Sequence, residues 1–258
     1  MHLDQFTQDG KFLMLALDHR GSFKKLINPA SPDSVSDEVV IHLKSEIIQA
    51  LQEQFSALLI DEVWGLEACK EVCEVKPFLL PLEKSGSTEL EYTVQHLKEM
   101  GASGAKLLLY FNPNVQSAQK QLATARKVME DCKQNNFPFF LEIVTYTGNK
   151  LVIDSVKMFL NNGIFPSVWK LEYPGSFENC QQITQLVGNT PWILLTGGQS
   201  FEEFKRELEV AIKAGAKGFL AGRALWKEIC TLSGGEKQNF LERTLSQRFK
   251  EVSEIAMM

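Results

Sequence analysis

The stretch Phe12-Leu-Met-Leu-Ala-Leu-Asp-His-Arg-Gly-Ser22 decides between the two folds open to this chain. Six apolar residues in succession read as a strand buried on both faces, as in a parallel sheet. In a doubly wound sheet the first such strand commonly runs into a glycine-rich G-x-G-x-x-G turn. Here it runs into Asp18-His19-Arg20-Gly21-Ser22, and no G-x-G-x-x-G occurs anywhere.

Working outward, seven further apolar runs follow: Ala57–Ile60, Pro77–Leu82, Ala105–Tyr110, Phe137–Thr145, Val168–Tyr173, Trp192–Thr196 and Gly218–Ala221. Helix-like stretches lie between them, including Asp37–Glu53, Glu89–Met100, Asn114–Gln134, Asp154–Asn161 and Phe201–Ala214. Gly163 and Gly215 follow last turns, where a left-handed residue is wanted. Strands that alternate with helices pair in parallel, each helix serving as the crossover. Eight such units in about 250 residues is the size of a (β/α)8 TIM barrel. The expectation is therefore one α/β domain over residues 1–258, with an open doubly wound sheet of fewer strands as the alternative. Asn28–Ser36 reads as a loop between strand one and its helix at the catalytic end. Asn239–Met258 reads as a final helix covering the barrel.

Composition narrows the function. The chain has 258 residues, 44% hydrophobic, and a formal net charge of −5. Nucleic-acid binding would call for a clustered basic face, and no apolar run nears the roughly 20 residues of a membrane span. Met1-His2-Leu3-Asp4-Gln5 lacks the basic and apolar regions of a signal peptide. Five scattered cysteines argue against a disulfide framework and fit a reducing cytoplasm. Cys69 and Cys73 share a helix face, but no further Cys or His pair stands near to complete a zinc site, and no metal is expected. His42 and His96 read as surface residues on helices.

The charged residues at the C-terminal strand ends matter most, because barrel active sites lie there. They are Asp18, Asp61, Glu83, Lys106, Glu142, Lys170, Glu172, Thr196 and Arg223. Asp61 and Glu83 stand at strand-loop junctions and read as ordinary solvent-facing ends. Lys106, Glu142 and Lys170 differ, since apolar residues continue beyond them, and they should project into the barrel mouth. Lys170, in Ser167-Val-Trp-Lys-Leu-Glu-Tyr-Pro174, shares a strand face with Glu172, so an ion pair between those two would explain its burial. Two lysines and two carboxylates in a semi-enclosed pocket also suit imine chemistry. A neutral amine is needed, and burial beside a second cation favours it. Lys170 would be the nucleophile, Lys106 the cation, and Asp18 and Glu142 the proton carriers. A buried ion-pair network holding the barrel closed fits the same residues equally well.

Strand seven leads into Thr196-Gly-Gly-Gln-Ser-Phe-Glu-Glu-Phe204 and strand eight into Gly222-Arg223. Gly197 and Gly198 would let backbone N–H groups approach an anion, Ser200 and Glu203 would form a capping box, and Arg223 could contact a phosphate. Barrel enzymes often bind phosphate between these two loops. Leu232-Ser-Gly-Gly-Glu-Lys-Gln238 imitates the ATP-binding-cassette signature. No P-loop accompanies it, and Ser233-Gly-Gly235 reads as a connecting loop.

These pieces together resemble the class I tagatose-bisphosphate and sulfofructose-phosphate aldolase group, within the wider deoxyribose-phosphate/fructose-bisphosphate aldolase barrels. The resemblance rests on Met14–Arg20, Ser56–Asp61, Lys106-Leu-Leu-Leu, Trp169–Pro174, Pro191–Gly198 and Ala214–Trp226, in the family's order over nearly the whole chain. It implies a cofactor-free lyase of the carbohydrate pathways that splits a sugar phosphate to dihydroxyacetone phosphate and an aldehyde. Lys170 would form the Schiff base, with Lys106, Glu142 and Asp18 as polar partners. Gly198, Gly222 and Arg223 would contact phosphate, with Gly197 and His19 beside them. A homo-oligomer is compatible, since exposed apolar helix faces in this class often pair. Three departures stand out. His19 replaces a usual Gln, Thr196-Gly-Gly198 replaces Ser-Ala-Gly or Ser-Ser-Gly, and the loops after strands three and five are trimmed. They leave the reaction type standing and the particular sugar open. A phosphosugar-binding sensor, or an imine-forming isomerase or transaldolase, are the other readings of the same residues.

Overall fold

A computed structural model describes residues 3–87, 89–145 and 151–258. Its centre is a closed barrel of eight parallel strands in sequence order: β1 (Phe12–Leu17), β2 (Ala57–Ile60), β3 (Phe78–Pro81), β4 (Gly104–Tyr110), β5 (Phe139–Val144), β6 (Val168–Leu171), β7 (Trp192–Leu195) and β8 (Gly218–Ala221), with β8 pairing back onto β1. The (β/α)8 barrel expected from the alternation is the fold observed, and all eight apolar runs contain a strand.

The strands are apolar throughout because both faces are covered. Leu13, Leu15 and Leu17 of β1 pack outward against the helices, while Phe12, Met14 and Ala16 fill the barrel interior. The same alternation sends Phe140 and Val168 inward, and two residues further along it sends Glu142 and Lys170 inward too. The chemistry-bearing side chains are thus the topmost layer of the barrel's own side-chain stack. The floor is sealed by the short turn Asp4–Phe6. The fully buried Phe6 ring meets the Phe140 ring edge-on, and Ser56 donates to the Phe6 carbonyl at 2.7 Å.

The shell comprises α1 (Gly21–Ile27), α2 (Asp37–Leu51), α3 (Gly65–Cys73), α4 (Val94–Glu99), α5 (Ala118–Gln134), α6 (Val152–Asn161), α7 (Phe177–Val187) and α8 (Phe201–Lys213). The chain then continues through α9 (Arg223–Trp226), α10 (Gly234–Asn239) and α11 (Ser246–Met257). Gly163 and Gly215 take positive φ at helix ends, as expected. The tail packs on the flank formed by β8, β1 and α8. Gly234 and Gly235 open the six-residue α10 and so belong to a helix as much as to a loop.

Three expectations change. Asn28–Ser36 joins α1 to α2 instead of following β1 directly, and none of its residues lines the barrel mouth. The buried Phe23 anchors α1 ahead of it, against the Trp226 ring. The helix expected over Glu89–Met100 is confined to Val94–Glu99, capped by the Thr93 hydroxyl. Before it the chain doubles back, with Glu83 and Leu90 forming an antiparallel bridge. Cys69 and Cys73, expected to be free thiols, are joined by a disulfide across one turn of α3, whereas Cys132, Cys180 and Cys230 are buried free thiols. The trimmed loop after strand five falls partly on residues 146–150, outside the described residues. Among the described residues no helix is long and apolar enough to cross a membrane.

Candidate active site

Asp18, His19, Lys106, Glu142, Lys170, Gly197, Gly198, Gly222 and Arg223 line one cavity of about 480 Å³ at the C-terminal mouth of the barrel, whereas Asp61, also at a strand end, does not. Parallel register makes the central contact. Glu142 and Lys170 are direct partners across β5 and β6, and Lys170 Nζ lies 2.8 Å from Glu142 Oε1. The ion pair expected between Lys170 and Glu172 is not formed. Glu172, one residue past the end of β6 at Leu171, still lines the same cavity as Lys170, but its carboxylate is engaged elsewhere. The Glu172 carboxylate accepts instead from the Thr145 backbone at 2.7 Å and its hydroxyl at 2.9 Å. Burial holds Glu172 above the usual carboxylate range despite those two donors.

Lys106 is the electrostatic hub. Its Nζ lies 2.9 Å from Asp18, 2.5 Å from Glu83 and 3.5 Å from Glu142. Burial acts against its charge, but the three carboxylates outweigh it and raise its pKa well above the ordinary lysine value. Lys106 is therefore a permanent cation. Burial would likewise raise the Asp18 carboxyl, yet the charges of Lys106 and Lys170 hold it well below the usual carboxylate range. Glu83 stays above that range because its burial dominates. Its second oxygen accepts from Leu108 N at 3.1 Å.

Glu83 was not expected here. It and Asp61 read as solvent-facing strand ends, but both are buried, Asp61 with no exposure at all. The signal for Glu83 was its spacing. Leu79, Pro81 and Glu83 continue one alternation, and an inward Leu79 carries Glu83 into the mouth. Asp61 is ion-paired to Lys44, which lies within the buried stripe of α2 formed by Val40, Leu43, Ile47 and Ile48. Lys44 also donates to the carbonyls of Leu17 at 2.8 Å and His19 at 3.0 Å, fixing the backbone on either side of Asp18.

At the opposite side of the mouth, Gly197 and Gly198 take φ values of +55° and +84°. The capping box forms, with Ser200 Oγ accepting from Glu203 N and Glu203 accepting from Ser200 N at 3.0 Å. The N-terminus of α8 and its dipole thus adjoin the two glycines. Arg223 lies against Gly198. A Cβ on Gly198 would stand 3.2 Å from its Nη2, and a Cβ on Gly222 would stand 3.1 Å from His19 Cε1. His19 packs edge-on against Trp226, whose indole N–H donates to the Ala16 carbonyl at 3.1 Å. Burial pushes the His19 pKa down to about 3 against the pull of Asp18, so the imidazole is neutral. Its Nδ1 is buried without a hydrogen-bond partner.

One end of the cavity therefore offers an amine with a carboxylate in hydrogen-bond contact, and the other offers backbone amides and a guanidinium. That combination suits a ligand with a carbonyl near an anionic group. Among the described residues no cluster of three or more His, Cys, Asp or Glu side chains is arranged to hold a metal ion.

The sequence model of the DeoC/LacD family aldolases matches residues 12–228. Tagatose 1,6-diphosphate aldolase 1 of Enterococcus faecalis is 28% identical, the alignment covering 88% of this chain and 83% of that protein. Tagatose 1,6-diphosphate aldolase of Staphylococcus haemolyticus is 27% identical, covering 85% and 82%. An archaeal fructose 1,6-bisphosphate aldolase superposes with a TM-score of 0.70 at 19% identity, covering 98% of this chain and 96% of that one. A Schiff-base-forming fructose-1,6-bisphosphate aldolase superposes with a TM-score of 0.68 at 18% identity, covering 98% and 97%. The last two likenesses concern the fold.

Proposed function

The chain belongs to the DeoC/LacD aldolase family, and from that premise we propose that it is a class I aldolase, cleaving a phosphorylated ketose to dihydroxyacetone phosphate and an aldehyde through an imine at Lys170. The observation that carries this reading is the 2.8 Å contact between Lys170 Nζ and Glu142, inside a cavity whose other side is an anion cradle. The two tagatose 1,6-diphosphate aldolases that the chain resembles support the same substrate class.

The substrate's phosphate docks on Gly197, Gly198 and Arg223 and brings the adjacent C2 carbonyl to Lys170. Glu142 takes a proton from the Lys170 ammonium, and the free amine attacks C2; a second proton passes from the nitrogen to the C2 oxygen and gives a neutral carbinolamine. Glu142 then gives its proton to the C2 hydroxyl, which leaves as water and yields a protonated imine. Asp18 then accepts the proton of the C4 hydroxyl. The C3–C4 bond breaks, its electrons pass into the imine as an enamine, and the aldehyde departs. The enamine takes a proton at C3, and water releases dihydroxyacetone phosphate from Lys170. Lys106 sets a fixed positive charge beside Asp18 and Glu142, aligned before the reaction begins.

Borohydride reduction in the presence of substrate tests the proposal. Mass spectrometry is expected to find the adduct on the peptide containing Lys170, and Lys170→Ala is expected to be inactive. An unmodified peptide together with a fully active Lys170→Ala enzyme would sink it.

A further inference from the structure

The cations of the mouth are not equally free. Among the described residues lining the cavity, Lys106 is bound to three carboxylates, Lys170 to Glu142, and Arg20 to Glu91. Arg223 alone has no ion-pair partner. The Arg20 pairing is specific. Nη1 donates to Glu91 Oε2 at 2.8 Å and Nη2 to the Glu83 carbonyl at 3.1 Å, with the Arg20 side chain only 11% exposed.

Arg20 leaves β1, the neighbour of β8 in the closed barrel, but its guanidinium reaches away from Arg223 to the loop after β3, three places from β8. The β3 loop supplies Glu83, Ser85, Gly86 and, after its antiparallel turn, Glu91. The neighbouring lining residues there, Ser22 and Tyr110, are uncharged. Of the four lining carboxylates, Asp18, Glu83 and Glu142 face Lys106 and Lys170, and Glu172 accepts from Thr145. One phosphate is met by Arg223 and the α8 terminus. A second, at the far end, would find its one candidate cation neutralised and a carboxylate beside it.

Resting on the aldolase reading above, we infer that the substrate is a ketose 1-phosphate with an uncharged far end, and that Glu91, by holding Arg20, selects against a second phosphate. This is discrimination by a like charge set against the wrong ligand. It departs from the 1,6-diphosphates in the names of the similar proteins.

The test compares kcat/KM for tagatose and fructose 1-phosphates with that for their 1,6-bisphosphates, read by dihydroxyacetone phosphate release. The native enzyme is expected to favour the monophosphate by about tenfold or more. Glu91→Gln, on a partly exposed side chain, is expected to shift that ratio about tenfold toward the bisphosphate. Arg20→Gln is expected to keep the monophosphate preference. A native enzyme that favours the bisphosphate, with the preference lost in Arg20→Gln, would overturn the inference and leave the aldolase intact. No borohydride-trapped adduct with any of the four sugars would overturn the aldolase reading, and this inference with it.

Discussion

Lys44 and Asp61 form an ion pair with no solvent exposure, and Lys44 uses its other two donors on the carbonyls of Leu17 and His19. The pair touches no part of the cavity, yet it fixes the turn that presents Asp18. Removing one partner of a buried pair strands the other charge. Lys44→Met is therefore expected to cost about 3–5 kcal/mol in urea unfolding. Adding Asp61→Asn removes that charge while still accepting from Trp64 N, and should recover much of the loss. A double variant no more stable than the single one would refute this account.

Lys106 sets the pH range over which Asp18 works. The Asp18 pKa is depressed in the folded state, so its stabilisation is present above the usual value of ~3.9 and is lost as pH falls through the folded value. The Lys106 pKa is raised, so its stabilisation is present below ~10.4 and is lost as pH rises through the folded value. Both contributions are complete around neutrality. Lys106→Met is expected to lower kcat and to move the acid limb of kcat/KM upward by roughly 1–3 pH units, because Asp18 loses its main counter-charge. A pH–rate profile with an unmoved acid limb would contradict this.

His19 contributes through its neutral form. Burial lowers its folded pKa to about 3, against ~6.5 unfolded. The neutral form is the one stabilised, so its contribution is present above pH ~6.5 and is lost as pH falls from there toward 3. In that window the native protein should lose about 1.4 kcal/mol per pH unit from this group alone. His19→Gln should flatten that component of the unfolding free energy between pH 7 and pH 5. The ring proton of His19 should show no titration by NMR between pH 5 and 8.

The proposed phosphate end should fail in proportion to what is removed. Arg223→Met deletes the one cation without an ion-pair partner among the described residues lining the cavity, and is expected to raise KM for the phosphate ester by about 10- to 100-fold. Gly198→Ala acts through geometry. Its φ of +84° disfavours any side chain, and the new methyl would press on the Arg223 guanidinium at 3.2 Å. KM should rise and the Lys170 adduct should still form. An unchanged KM in both variants would remove phosphate from this location.

The parts legible from sequence were those governed by local rules. Strands buried on both faces advertise themselves as apolar runs, so the barrel could be read from Phe12–Leu17 onward. Lys106, Glu142 and Lys170 stood out because a charge within such a run is costly unless it has work to do. Glu83 and Asp61 were hidden by their position at strand ends, where a carboxylate usually meets water. Lys44 was hidden in the amphipathic pattern of α2. The Arg20–Glu91 pair spans 71 residues of sequence, and no periodicity links such partners. The Cys69–Cys73 spacing located both thiols on one helix face, but spacing does not disclose a covalent bond.

Closure of the ring by β8 against β1 has a consequence for biosynthesis. β1 gains β2 as a neighbour soon after synthesis, but its other partner, Gly218–Ala221, emerges about 200 residues later. At ~5–20 residues per second, the outer edge of Phe12–Leu17 waits roughly 10–40 s on the ribosome. That edge is six consecutive apolar residues without a charge or proline, the composition that pairs readily with other nascent chains. Phe6, which seals the barrel floor, waits as well, for Phe140. The first strand made is the last completed, so cellular yield should depend on translation rate and on chaperones that shield the emerging N-terminal end.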